Sequence, residues 1–171
     1  MTPGDRPPVV AIVGNSGSGK TTFMERLIPE IKARGLKVGT IKHHHKAEMA
    51  EIDRPGKDSW RHKRAGASVA AVVSASGAGM VADADRDRGP LEWLYLFPGV
   101  DIVLCEGFKR ENISKIEVFR PEISPRPLCR DDEALLAFVS DSDIEGARTP
   151  VFSPKEAGKT ADFLIHRFNL K

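Results

Sequence analysis

The segment Gly14-Asn15-Ser16-Gly17-Ser18-Gly19-Lys20-Thr21 brings glycines, a lysine and a hydroxyl into a spacing suited to holding phosphate. Glycines let the backbone wrap closely around an anion, so that several N–H groups point at it. A helix beginning at Lys20 would add the positive end of its dipole. Lys20 then reaches the β and γ phosphates, and the Thr21 hydroxyl is placed to ligate magnesium. The plain alternative is a glycine-rich strand-to-helix turn with an incidental lysine. Context favours the chemistry, because the apolar run Val9-Val10-Ala11-Ile12-Val13 precedes the segment and a helical period follows it. The implied ligand is a purine triphosphate with magnesium.

Such a site needs a carboxylate on the metal side. Asp101-Ile-Val-Leu-Cys-Glu106 offers one at each end of an apolar strand. Ligands of open parallel sheets sit at the carboxyl ends of strands, so Glu106 is expected at the metal and in catalysis, and Asp101 in a loop or cap. Asp53, in the loop after the second strand, is a further metal candidate. His43-His44-His45 lies between Lys42 and Lys46. Adjacent residues converge poorly on one ion, so an anion-facing loop is expected there rather than a transition-metal site. Guanine specificity is not written as an Asn-Lys-x-Asp motif. Asp141 and Asp143, after a late strand, are the candidate carboxylates for reading a base, and the choice between GTP and ATP stays open.

Elements that could position these groups are legible in the periodicity. Phe23, Leu27 and Ile31 form one helical row, with Gly35 as its stop, and Leu36–Ile41 reads as a second strand. A loop over 43–57 and a basic helix over 57–64 follow, then strands over 68–73 and 79–82. A short helix is expected over 91–97 and a strand over 101–105. Lys115 to Arg120 alternates charged and apolar residues, as a half-exposed strand would. Late strands over 135–139 and 150–152 precede a C-terminal helix with Ala157, Ala161, Leu164, Ile165 and Phe168 on one face. Alternating strands and helices predict an α/β fold of the P-loop NTPase type, a mostly parallel sheet flanked by helices.

With 171 residues, 40% hydrophobic and 29% charged, the chain is sized for one globular domain over 1–171, with residues 1–8 expected to be flexible. Its net charge of +2 gives no support to nucleic-acid binding. Cys105 and Cys129 stand far apart in no metal or redox spacing and read as buried thiols. No apolar leader opens the chain, and the longest apolar stretch, 68–82, is short of a membrane span and broken by Ser and Gly. The expected setting is cytoplasmic, without a membrane partner.

Several motifs in order carry a resemblance: Thr40-Ile41-Lys42-His43-x-His45, then Asp53-Arg-Pro-Gly56-Lys57-Asp58-Ser59, then Glu106-Gly107-Phe108-Lys109 and Lys115-Ile116-Glu-Val-Phe-Arg120. Together they resemble the molybdopterin-guanine dinucleotide biosynthesis adaptor proteins, the MobB family, over roughly residues 9–168. The resemblance implies a homodimeric GTP-binding protein with at most slow, magnesium-dependent GTPase activity. It also implies a partner, the guanylyltransferase (MobA) that joins GMP to molybdopterin. By position, Gly14 to Thr22 would be the phosphate loop, and Lys42, His43 and His45 would line a nucleotide or cofactor cleft. That cleft would take GTP, and molybdopterin or molybdopterin guanine dinucleotide as a bound ligand. Lys57 and Asp58 would lie in the adjoining loop, and Lys109 on the magnesium-side strand end. Lys46 departs from the family pattern, which often has His there, and the loop over 47–52 is slightly long. The competing readings are a small-molecule kinase, with Arg61, Lys63 and Arg64 in a closing lid, and a module that binds nucleotide only structurally.

Overall fold

The structure, a computed structural model, describes residues 6–44 and 53–171. His45, Lys46 and the 47–52 stretch lie outside the described residues, as do residues 1–5. Along the chain come β1 (Val9–Val13), α1 (Lys20–Ala33), β2 (Val38–Lys42), α2 (Asp58–Arg64), β3 (Val69–Ser74), β4 (Gly77–Ala82) and a 3-10 turn (Pro90–Leu96). They continue with β5 (Ile102–Glu106), β6 (Ser114–Val118), β7 (Leu135–Val139), β8 (Val151–Phe152) and α3 (Ala157–Phe168). Two compact units are formed, one by Met1–His43 with Gly89–Lys171, the other by His44–Arg88.

In the first unit six strands make one sheet in the order β2-β5-β1-β6-β7-β8, and every neighbouring pair is parallel. The order reverses at β1, which has β5 on one edge and β6 on the other. The carboxyl end of β1 is therefore the topological switch point, the place where open α/β sheets bind ligands. One face packs Val10, Ile12, Leu104, Ile116 and Val139 against Phe23, Leu27 and Ile31 of α1 and Ala161 and Leu164 of α3. On the other face Val103, Cys105 and Phe138 pack with Leu94 of the 3-10 turn and with Phe108, Ile113, Phe119 and Cys129 from loops. Both cysteines are free and buried, and desolvation pushes their thiols up, Cys105 to about 12 and Cys129 to about 11.

One expectation is corrected here. The charged residues of β6 do not face solvent: Lys115 is 2% exposed and Glu117 1%. An alternating strand has a wet face only when one side of its sheet is bare, and β6 lies between β1 and β7 with both faces covered. Each buried charge is answered. Lys115 Nζ donates to the Glu111 carbonyl (2.6 Å) and pairs with Asp132 Oδ2 at 2.9 Å. The Glu117 carboxylate accepts the N–H groups of Leu128 (2.7 Å) and Cys129 (2.8 Å). Burial raises the Glu117 pKa, and those two N–H bonds pull it back. These contacts tie down the proline-rich segment over 119–134.

The second unit holds α2 and an antiparallel hairpin of β3 and β4, a two-stranded sheet of its own. Ser74 pairs with Gly77, so the connection is tighter than the 74–78 segment expected. Among the described residues no helix is long and apolar enough to cross a membrane.

Candidate nucleotide site

The chain must leave β1 after Val13 and enter α1 within a few residues, and the glycines make that turn possible. Gly14 has φ 141°, and a Cβ on it would lie 2.4 Å from the Val118 carbonyl oxygen and 2.7 Å from Ser18 Oγ. Gly19, at φ 94°, is the N-cap of α1, and no side chain caps that end. The first N–H groups of the helix are thus left as donors for an anion. Ser18 is 1% exposed, and its hydroxyl has no hydrogen-bond partner among the described residues.

Lys20 lies back across the loop, its Nζ donating to the carbonyls of Gly14 (3.1 Å) and Asn15 (2.8 Å). Burial lowers its pKa; the Glu106 carboxylate works against this, and Lys42 and Lys109 add to the lowering. A bound phosphate would supply the negative charge that this cluster of cations lacks.

Thr21 and Glu106 meet as the strand-end argument requires. Glu106 pairs in register with Ile12 of β1 and with Lys42 of β2, which sets it beside the loop. Thr21 Oγ1 donates to Glu106 Oε1 at 2.8 Å, and Lys42 Nζ lies 3.6 Å from the same oxygen. A hydroxyl in contact with a carboxylate is a hard-oxygen set, and such a set fits magnesium. Asp101 has the structural role expected of it: its Oδ2 accepts the Lys37 N–H at 2.7 Å at the entry to β2.

Glu106→Gln keeps an acceptor for Thr21 while removing the charge. The magnesium concentration for half-maximal GTP binding is expected to rise about tenfold, with magnesium-free affinity changed less than about twofold. Superimposable magnesium titrations of the two proteins would take Glu106 off the metal side.

The chain turns sharply after Glu106 through Gly107 (φ 100°) and Phe108 (φ 58°), and Lys109 emerges exposed. His43 donates its N–H to the Glu106 carbonyl (3.0 Å), and its ring stacks on Phe108 with centroids 4.6 Å apart. Lys42, His43 and Lys109 thus gather with Lys20 and Glu106 at one strand end. Asp141 does not join them, since its Oδ1 accepts from Ser153 Oγ at 2.9 Å. Asp53, Lys57 and Asp58 belong to the second unit. There Asp53 Oδ1 accepts the Arg54 N–H (2.8 Å), Lys57 precedes α2, and Asp58 pairs with Arg61 at 3.8 Å. The metal role expected of Asp53 rests on its place in the loop after β2, and the roles of Lys57 and Asp58 on the resemblance.

One residue has no role in the expected site, although it ends the Lys115-to-Arg120 motif of the resemblance. Arg120 follows β6, and its Nη2, Cζ and Nε lie 3.4, 3.7 and 3.8 Å from where a Cβ on Gly19 would stand. Such near-equal distances lay the guanidinium flat over Gly19. No carboxylate pairs with it among the described residues. The motif marks the residue, and the pairing of β6 beside β1 is what brings it to the loop.

Residues 9–141 match the family model described as molybdopterin guanine dinucleotide synthesis protein B. The chain belongs to that family. The matched stretch takes in the phosphate loop, Lys42, His43, Glu106, Lys109 and Arg120. Among members of the MobB family, the molybdopterin-guanine dinucleotide biosynthesis adapter protein of Haemophilus influenzae is 37% identical over 170 residues, 95% of this chain and 92% of the relative. The adapter protein of Escherichia coli is 38% identical over 124 residues, 70% of each chain. The crystal structure of Bacillus subtilis MobB superposes with a TM-score of 0.75 at 29% identity, covering 96% of this chain and 98% of that one.

Proposed function

We propose that this chain is a cytoplasmic GTP-binding adaptor of molybdopterin guanine dinucleotide biosynthesis, with weak magnesium-dependent GTPase activity, that assists the guanylyltransferase MobA. The observation that carries the reading is a complete phosphate loop, with Lys20 laid across it and Thr21 held by Glu106, in a chain of this family. Lys20, Lys42 and Lys109 neutralise the phosphates, and the loop N–H groups orient them. Magnesium bound beside Thr21 and Glu106 would supply Lewis-acid charge to the terminal phosphates. Glu106 is already shared between Thr21 and Lys42, which suits a positioning role and a slow hydrolysis. Molybdopterin or its guanine dinucleotide is the further ligand of this reading, with His43 and Lys42 on its side of the cleft.

The homodimer of this reading is supported by the β3–β4 hairpin. Val69, Val72, Val73 and Met80 are exposed on it, Val73 at 78%. A lone two-stranded sheet is marginal in water and its edges are open to pairing, so a second copy is the natural cover.

The test follows γ-labelled GTP with the purified chain, first alone and then with guanylyltransferase and molybdopterin. The expected result is slow phosphate release by the chain alone, and cofactor maturation raised at about one chain per partner. A kinase would label a small-molecule acceptor over many turnovers with no partner present, and that outcome would sink the adaptor reading.

A further inference from the structure

Asp141 and Asp143 both follow β7, and the structure separates them. Asp141 is held by Ser153, whereas the Asp143 carboxylate has no hydrogen-bond or ion-pair partner among the described residues. Asp143 lines a cavity of about 730 Å³ with Phe119, Arg126, Arg130, Asp131 and Ile144. Val118 and Val139, the last residues of β6 and β7, are register partners, and the cavity opens among the segments that follow them. The segment after β6 also forms a wall of the phosphate loop. Arg120 lies over Gly19, and Ile123 Cδ1 is 3.9 Å from where a Cβ on Gly17 would stand. Phosphate loop and cavity are thus neighbours across residues 119–123. Glu106 stands on the other edge of β1, because β5 pairs there and β6 opposite. A nucleotide with its terminal phosphates toward Glu106 would extend its sugar and base toward β6 and β7.

We propose that this cavity takes the nucleobase and that Asp143 makes the site select guanine. The proposal rests on the nucleotide-binding reading above. An ionised carboxylate only accepts hydrogen bonds and has two oxygens to do it with. Guanine offers it two adjacent donors, the ring N1–H and the 2-amino group. Adenine offers the N1 lone pair and a C2–H at that edge, which leaves the carboxylate unpaired against an acceptor. Of the three carboxylates that line the cavity, Asp131 precedes β7, Asp143 is nearest in the chain to the carboxyl end of that strand, and Glu145 lies two residues further on. Phe119 and Ile144 would give the base apolar contact.

The experiment measures affinities of the full chain for GTP, ATP and xanthosine triphosphate with magnesium, in wild type and Asp143→Asn. Xanthine carries a carbonyl where guanine has the 2-amino group, so an amide N–H replaces the lost acceptor with the matching donor. Wild type is expected to prefer GTP over ATP by about tenfold or more, and Asp143→Asn to lose about tenfold to a hundredfold for GTP while gaining for xanthosine triphosphate. ATP affinity should not move. An unchanged ratio of GTP to xanthosine triphosphate, or an equal loss for all three, would overturn the base assignment and leave the phosphate loop standing. Failure of the wild type to bind any of the three would overturn both readings.

Discussion

Lys20→Ala is expected to lower GTP affinity about a hundredfold or more, because a charge-assisted contact to two phosphates is worth roughly 3 kcal/mol and each 1.4 kcal/mol is a factor of ten. The loss should be close to equal with and without magnesium, since the lysine and the ion act on the phosphates separately. Stability should barely change. Lys20 Nζ donates only to the carbonyls of Gly14 and Asn15, at a loop water can reach, and its removal strands no buried charge. Titration calorimetry together with a thermal melt checks both halves. Near wild-type GTP affinity in a folded Lys20→Ala chain would falsify the phosphate-loop assignment.

The second large effect is on stability and concerns Glu117. Glu117→Ala removes the acceptor from the Leu128 and Cys129 N–H groups and leaves a void under a covered face of the sheet. Stranding these donors should cost about 3 kcal/mol, which for a chain of this size lowers Tm by about 6–12 °C. Glu117→Gln keeps an acceptor oxygen and fits the same space, so its loss should be smaller. Because the released segment carries Arg120 and the cavity wall, GTP affinity should also weaken in Glu117→Ala while the magnesium titration keeps its shape. Differential scanning calorimetry of the three proteins decides it. If Glu117→Ala melts within about 2 °C of wild type, the carboxylate does not anchor the segment.

How far these residues were legible follows the range over which each is determined. The turn from β1 through Gly14 and Gly19 into α1 is local: a β-branched run, glycines at the positive-φ positions and an i, i+4 apolar row are written within about two dozen consecutive residues. Glu106 needed one further rule, that parallel strands present their carboxyl ends to the ligand, and the structure sets it in hydrogen-bond contact with Thr21. Asp101 was readable in the same way, as the strand's other end. The sequence by itself therefore determined the phosphate loop, the carboxylate beside it and the α/β class.

Tertiary structure alone decided what depends on strand order. Lys115 and Glu117 look like the wet face of an amphipathic strand, because local alternation is the same whether the facing surface is solvent or another layer. Pairing of β6 between β1 and β7 buries them, and their partners Asp132, Leu128 and Cys129 come from a loop that no periodicity marks. The same adjacency lays Arg120 over Gly19, residues a hundred positions apart in the chain, and turns Asp141 to Ser153 while Asp143 lines a cavity. Segregation of β3 and β4 into a hairpin outside the main sheet is equally unreadable locally, since an apolar run fits either place. Periodicity and turn chemistry report on a residue's near neighbours. Which strands lie side by side is chosen by the packing of the whole sheet.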